Sequence, residues 1–482
     1  LPLGAFSNGT CVSFSGVFEG NGHSIKGLKM NNKDNEWYNG AGLFCSLKNA
    51  TIDNLVIDTS CSFTGYFAGA LSVSLDGSLT VKHTTNYADV TGKYRVGGFI
   101  GYVVDLKQPN VVSFEDCVNN GNVTGSDGYV GGFVGYLYQN TNMNMAFLSC
   151  MNYGIVTGSY YVGGFVGYIY SNTNMVMTIS NSTNNDFVTG SGNVGGFVGY
   201  AYKNTNMNMT ISDSVNNGNV TGSSYVGGFV GIIEDNVKSG MIIVSCVNDA
   251  SVTGSDSYVG GFVGYIYDNS NMAMTISNSI NCATVTASKK YVGGFVGYIY
   301  ENPNMTMTIS SAINNGFVTK SDYYVGGFVG CIYESMNMIT ISNFINNGTV
   351  TGNENVGGFA GDIDSSTDMT MTIANYINNC SVTGSERYVG GFAGSISSNE
   401  NVTMINTNII NNGFIIGSSS VGGLVGSFFS SSSNMTMTIS SSTNNGSVTG
   451  NYTVGGFVGY VSTYSSVMPM SLDIMSSANK GS

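Results

Sequence analysis

Four carboxylates recur at a spacing of 33 residues: Asp235, Asp268, Glu301 and Glu334. If the chain repeats in space as it does in sequence, they stack about 5 Å apart. At that distance like charges repel unless they splay into water or share a cation. The column reads either as solvated turns or as a calcium-binding edge. Calcium is the one cofactor the sequence suggests, and none is required. Aromatic hydroxyls recur in the same way, in two rows: Tyr136, Tyr168, Tyr200, Tyr265, Tyr298 and Tyr138, Tyr170, Tyr202, Tyr267, Tyr300. Rows of exposed rings would bury against another protein surface or stack on sugar rings.

Other reactive groups are sparse. Arginine occurs only at positions 95 and 387, and the acids are scattered, so the clustered Asp, Arg and Lys of a polysaccharide-cleaving face are missing from the sequence. His23 reads as a turn residue and His83 as a polar corner. The nine cysteines include no CxxC and no Cys/His cluster, which argues against zinc. Cys117 and Cys150 fall in one column of adjacent repeats, close enough for a disulfide to be expected between them. Cys11, Cys45 and Cys61 could staple the N-terminal stretch. Thirteen N-x-S/T sequons begin at Asn8, Asn49, Asn122, Asn181, Asn208, Asn219, Asn304, Asn347, Asn379, Asn401, Asn434, Asn445 and Asn451.

The elements that must position these groups follow from composition and period. Of 482 residues, 42% are hydrophobic and 9% charged, with 68 Gly, 30 Tyr, 25 Phe, 23 Met and four Pro. Strand formers dominate and helix formers are scarce, so the reading is all-β. The net charge of −13 and the lack of a basic stripe exclude a nucleic-acid partner, and no apolar run suits a membrane helix. The first glycine of a "GGF" phrase falls at 97, 131, 163, 195, 227, 260, 293, 326, 357, 390, 422 ("GGL") and 455, with a diverged "GYFAG" at Gly65–Gly69. About thirteen coils of roughly 32 residues, each with about three short strands, predict a parallel β-solenoid, or β-helix. The expected division is an N-terminal cap over 1–64, the solenoid over 65–460, and a C-terminal strand and tail over 461–482.

Within a coil, Met175, Met177 and Ile179 should face inward, and a phenylalanine column (Phe133, Phe165, Phe197) should stack in the core. Asn119, Asn152, Asn184 and their repeats should form an asparagine ladder at a corner. In Val166–Tyr170 both faces are apolar. Either something covers the Val/Tyr face or it is a binding strip.

The phrase "GGLVG" at Gly422–Gly426 and its "GGFVG" relatives resemble the GLUG motif, a repeat of bacterial and protist surface proteins. "FSGVFEGNGHSIKGLKM" (Phe14–Met30), "AGLF" (Ala41–Phe44) and "ATIDNLVI" (Ala50–Ile57) are similar to the segment that often precedes such repeats. This chain uses Phe where the motif has Leu. The resemblance implies an extracellular, surface-attached or adhesive β-solenoid without catalytic residues. A start at Leu1 rather than Met, the sequons and the low charge agree with a secreted glycoprotein whose signal has been removed, and the small-residue tail Ser476–Ser482 is of the kind that precedes a lipid anchor. The expected role is a non-enzymatic subunit of a filament, surface coat or adhesive stalk. It would self-associate, or join another extracellular structural protein, through open β-edges and the Val/Tyr face. The alternative is a monomeric adhesin whose tyrosines bind glycans.

Overall fold

Period-two strands separated by short polar corners stack into parallel ladders, because each coil can bury its apolar side only against its neighbours. The computed structural model describes residues 11–32, 40–335, 337–430, 433–463 and 470–481. Among them there is no helix, and the chain folds as a parallel β-solenoid of about 14 turns. Its residues form two compact units, Leu1–Ser223 with Gly228–Met241, and Ser224–Gly227 with Ile242–Ser482.

In the first unit a representative coil runs through Tyr161–Gly163, Val166–Tyr170, Val176–Ser180, Thr183–Asn184 and Val188–Thr189. The three strands expected from the sequence are thus broken into five pieces. The break inside "YVGGFVGYIY" is a bend at Gly164–Phe165, which turns the chain from one sheet into another. Each piece pairs in parallel with its copy in the next coil: Val166 with Val198, Met177 with Met209, Asn184 with Asn216, Val188 with Val220. The N-terminal stretch joins the same ladders, Ser24–Ile25 pairing with Val56–Ile57 and Lys29–Asn31 with Ser62–Thr64. In the second unit the same plan recurs over Lys290–Gly293, Val296–Tyr300, Met305–Ser310 and Ile313–Asn314.

The core is the one the period implies. Met175, Met177 and Ile179 are fully buried, while Val176 between them is 43% exposed. Phe133, Phe165 and Phe197 stack with centroids 4.8 Å apart, and in the second unit Phe262 and Phe295 stack at 4.7 Å. The asparagine ladder forms as expected. Asn119, Asn152 and Asn184 are fully buried, each Nδ2 donating at 2.9 Å to the Oδ1 of the next coil. A second buried ladder was not read from the sequence: Asn140, Asn172 and Asn204, linked at 3.0 Å at the corner after the tyrosine strand.

Two glycines of the repeated phrase are required by close approach. A Cβ on Gly164 would collide with the Gly196 carbonyl and sit 2.8 Å from Asn184 Oδ1. A Cβ on Gly167 would lie 2.7 Å from the Val130 nitrogen, where two sheets cross at the bend. The corners use left-handed backbone, as at Ser171 (φ 57°), Asn174 (φ 51°) and Asn181 (φ 50°). Among non-glycine residues asparagine tolerates that conformation well, which accounts for part of the chain's asparagine.

Candidate functional site

The bend at Gly164–Phe165 decides what the tyrosines do. It folds the strand Val166–Tyr170 against the strand before it, so the outward Val/Tyr face becomes a groove. Tyr136, Tyr168 and Tyr200 form its floor in the first unit and are buried, as are Tyr265 and Tyr298 in the second. Burial pushes the Tyr168 phenol above its ordinary range. One wall is Tyr138, Tyr170 and Tyr202 in the first unit and Tyr267 and Tyr300 in the second, all half-buried. The other wall was not foreseen. It includes Tyr129 and Tyr161 in the first unit and Tyr258, Tyr291 and Tyr324 in the second, tyrosines that open a "YVGGF" phrase. Tyr161 lies 4.6 Å from Tyr168, and Tyr291 lies 4.1 Å from Tyr298. The cover sought for the apolar face is therefore the chain's own aromatic column, and the floor row is not a free strip. The signal was present, since a tyrosine precedes "VGGF" at 129, 161, 225, 258, 291, 324 and 388, but the bend that brings it over the floor leaves no trace in side-chain periodicity.

In the second unit the floor changes character along the ladder. Tyr298 is followed in register by Cys331, then Asp362, Ser395 and Ser427. Asp362 is 4% exposed. Its carboxyl accepts the Ile363 N–H at 3.0 Å and is hydrogen-bonded by Ser395 and Asn355. Burial first, and then the charge of Asp364, raises its pKa well above the ordinary carboxylate range. Beside it Glu354 is held by Arg387 Nε at 2.8 Å.

The sign of the resulting pH effect follows from proton linkage. Unfolded, Asp362 loses its proton near pH 4; folded, it keeps the proton to higher pH. The folded state binds more protons between those two values, so its stability falls as pH rises through that window. Asp362→Asn should remove that decline, which urea midpoints at pH 4 and pH 8 would show as a smaller difference between the two than in the parent.

The acidic column sits on left-handed corners, with Asp235 at φ 54°, Asp268 at φ 50°, Glu301 at φ 48° and Glu334 at φ 45°. Asp235 pairs with Lys203 at 3.6 Å. Glu301 and Glu334 engage the hydroxyls of Tyr300 and Tyr333, raising the pKa of both phenols. Among the described residues no three His, Cys, Asp or Glu side chains converge to hold a metal.

The expected Cys117–Cys150 bond is not formed. Both are buried thiols pointing into the core, Cys117 donating to the Glu115 carbonyl at 3.3 Å and Cys150 to the Phe114 carbonyl at 3.4 Å. Their column acts as a polar ladder in which the next coils carry Ser182 and Ser214. The disulfide that does form joins Cys11 to Cys45, in the stretch where a staple was expected. His83 is a polar corner, its Nδ1 2.9 Å from Asp53 and its Nε2 3.7 Å from Asp116. Lys289 meets Asp256 at 3.1 Å across adjacent coils.

Asn8 lies outside the described residues. Asn219 is half-buried, and Asn49, Asn122, Asn181, Asn208, Asn304, Asn347, Asn379, Asn401, Asn434, Asn445 and Asn451 are exposed. Several of them already donate along a surface ladder, as Asn379 Nδ2 does to Asn347 at 2.9 Å.

No known family model matches the chain. No solved structure matches it. A stretch of 98 residues is 36% identical to part of halomucin from Haloquadratum walsbyi (strain DSM 16790 / HBSQ001), covering 20% of this chain and 1% of that protein. No helix among the described residues is long and apolar enough to cross a membrane. The repeat fold and this partial likeness fit a structural or surface role.

Proposed function

We propose that this chain is a non-enzymatic structural protein of an extracellular assembly, a filament, coat or adhesive stalk, built from coils that present tyrosine rows to a second copy or to another structural protein. The observation that carries the reading is the half-buried row Tyr138, Tyr170, Tyr202 and its counterpart Tyr267, Tyr300, Tyr333, stacked in register along the ladders. Tyr138 and Tyr170 stack at 5.1 Å and Tyr267 and Tyr300 at 5.2 Å, so the rings are ordered before any partner arrives. Pre-ordered aromatic rows lose little entropy on association. The GLUG-like phrase, the exposed sequons and the stretch shared with halomucin support an extracellular setting. Pairing of open strand edges between copies is the second contact in this proposal.

The test uses rim residues, because the floor tyrosines Tyr168 and Tyr298 hold the fold. In light scattering across a concentration series, Tyr170→Ser with Tyr300→Ser should weaken the association constant at least about tenfold, a loss of roughly 1.4 kcal/mol. Unchanged association would remove the tyrosine rim from the account.

A further inference from the structure

In the second unit the floor gives up its tyrosine rings and becomes polar, and a purely structural ladder gains nothing by that change. Stacked rings bury apolar area, whereas a buried Asp and Ser floor costs free energy unless every polar atom is satisfied. Not every one is. Asn355 is 7% exposed, and its Oδ1 has no hydrogen-bond partner. It lines a cavity of about 340 Å³ together with Asp362, Ser395, Ser427, Tyr388 and Phe429. A second cavity of about 460 Å³ also reaches Asp362 and is walled by Tyr291, Tyr324 and Tyr333. Both volumes fall within the range of small-molecule sites, roughly 300–1,000 Å³.

We propose that this groove binds a neutral oligosaccharide, lying along the ladder with its hydroxyls on Asp362, Asn355 and Ser395 and its apolar ring faces on Tyr324 and Tyr388. The charge arrangement selects a neutral ligand. Arg387 already compensates Glu354, and Asp362 is bonded to Ser395 and Asn355. The floor therefore offers hydrogen bonds and aromatic faces, and the Asp364 carboxylate at the second cavity disfavours an anionic ligand. Sugar hydroxyls are both donors and acceptors, so they can satisfy the Asn355 acceptor. A floor that presents one residue per coil, about 4.8 Å apart, over Asp362, Ser395 and Ser427 suits an extended polymer better than a single small molecule. This inference does not depend on self-association, because the rim rows and the polar floor are different residues.

The test is calorimetric titration of the full chain with cellohexaose, laminarihexaose and mannohexaose, with tetramethylammonium chloride as the charged comparison. At least one hexasaccharide should bind. Asp362→Ser and Asn355→Ser should each weaken that binding about tenfold. Ser395 and Ser420 occupy the corresponding positions of later coils, so both variants carry residues the fold already accepts there. Tyr170→Ser, in the first unit, should leave the binding unchanged. The proposal is overturned if no hexasaccharide binds, if Asp362→Ser and Asn355→Ser bind as the parent does, or if only tetramethylammonium binds.

Discussion

Asn314→Leu should unzip the asparagine ladder locally and cost about 4 kcal/mol. Asn314 donates from Nδ2 to Asn346 Oδ1 at 2.8 Å and to the Gly316 carbonyl at 3.1 Å, and it accepts from Asn281 Nδ2 at 2.8 Å. All three asparagines are fully buried, so no water replaces the lost partners. A leucine leaves a donor on one side and acceptors on the other unsatisfied, each worth about 1–3 kcal/mol. Coils couple mainly to their nearest neighbours, so the loss should not spread along the chain. Hydrogen exchange should show faster exchange over roughly the Asn281 to Asn346 coils and parent-like protection in the first unit. Uniform protection throughout would mean the ladder contributes little.

Asn406→Ile should stabilise the protein by about 3 kcal/mol. Asn406 is 1% exposed, and neither its Oδ1 nor its Nδ2 has a partner. Its register neighbours are Ile373 on one side and Ile439 on the other, so isoleucine is the residue this core position is shaped for. The gain combines removal of a buried, unsatisfied amide with added apolar burial. The urea midpoint of the second unit's transition should rise. A fall would show that the amide finds partners in solution.

What could be read from the sequence was whatever repeats with period two on a strand closed on one side. Met177 inside and Thr178 outside follow from that period alone, as do the phenylalanine stack and the asparagine ladder. Tyr168 shows the limit. Its alternation marks it as outward, and it is outward, yet the bend at Gly164–Phe165 brings Tyr161 over it and buries it. Spacing also placed Cys117 and Cys150 in one column correctly, but shared rung position does not decide whether two neighbouring thiols bond covalently or stay as hydrogen-bonded thiols. The polar floor was hidden for a different reason. Asp362, Ser395 and Asn355 are departures from the repeat, and a search for regularity discards departures.

The folded solenoid should associate through its own surfaces. Negative-stain electron microscopy of the purified chain, with and without a calcium chelator, examines that directly. Filaments or sheets that persist in chelator are the predicted result, because Asp235 is paired with Lys203 and Glu301 and Glu334 are engaged by tyrosine hydroxyls. Isolated particles at high protein concentration, in either condition, would contradict it.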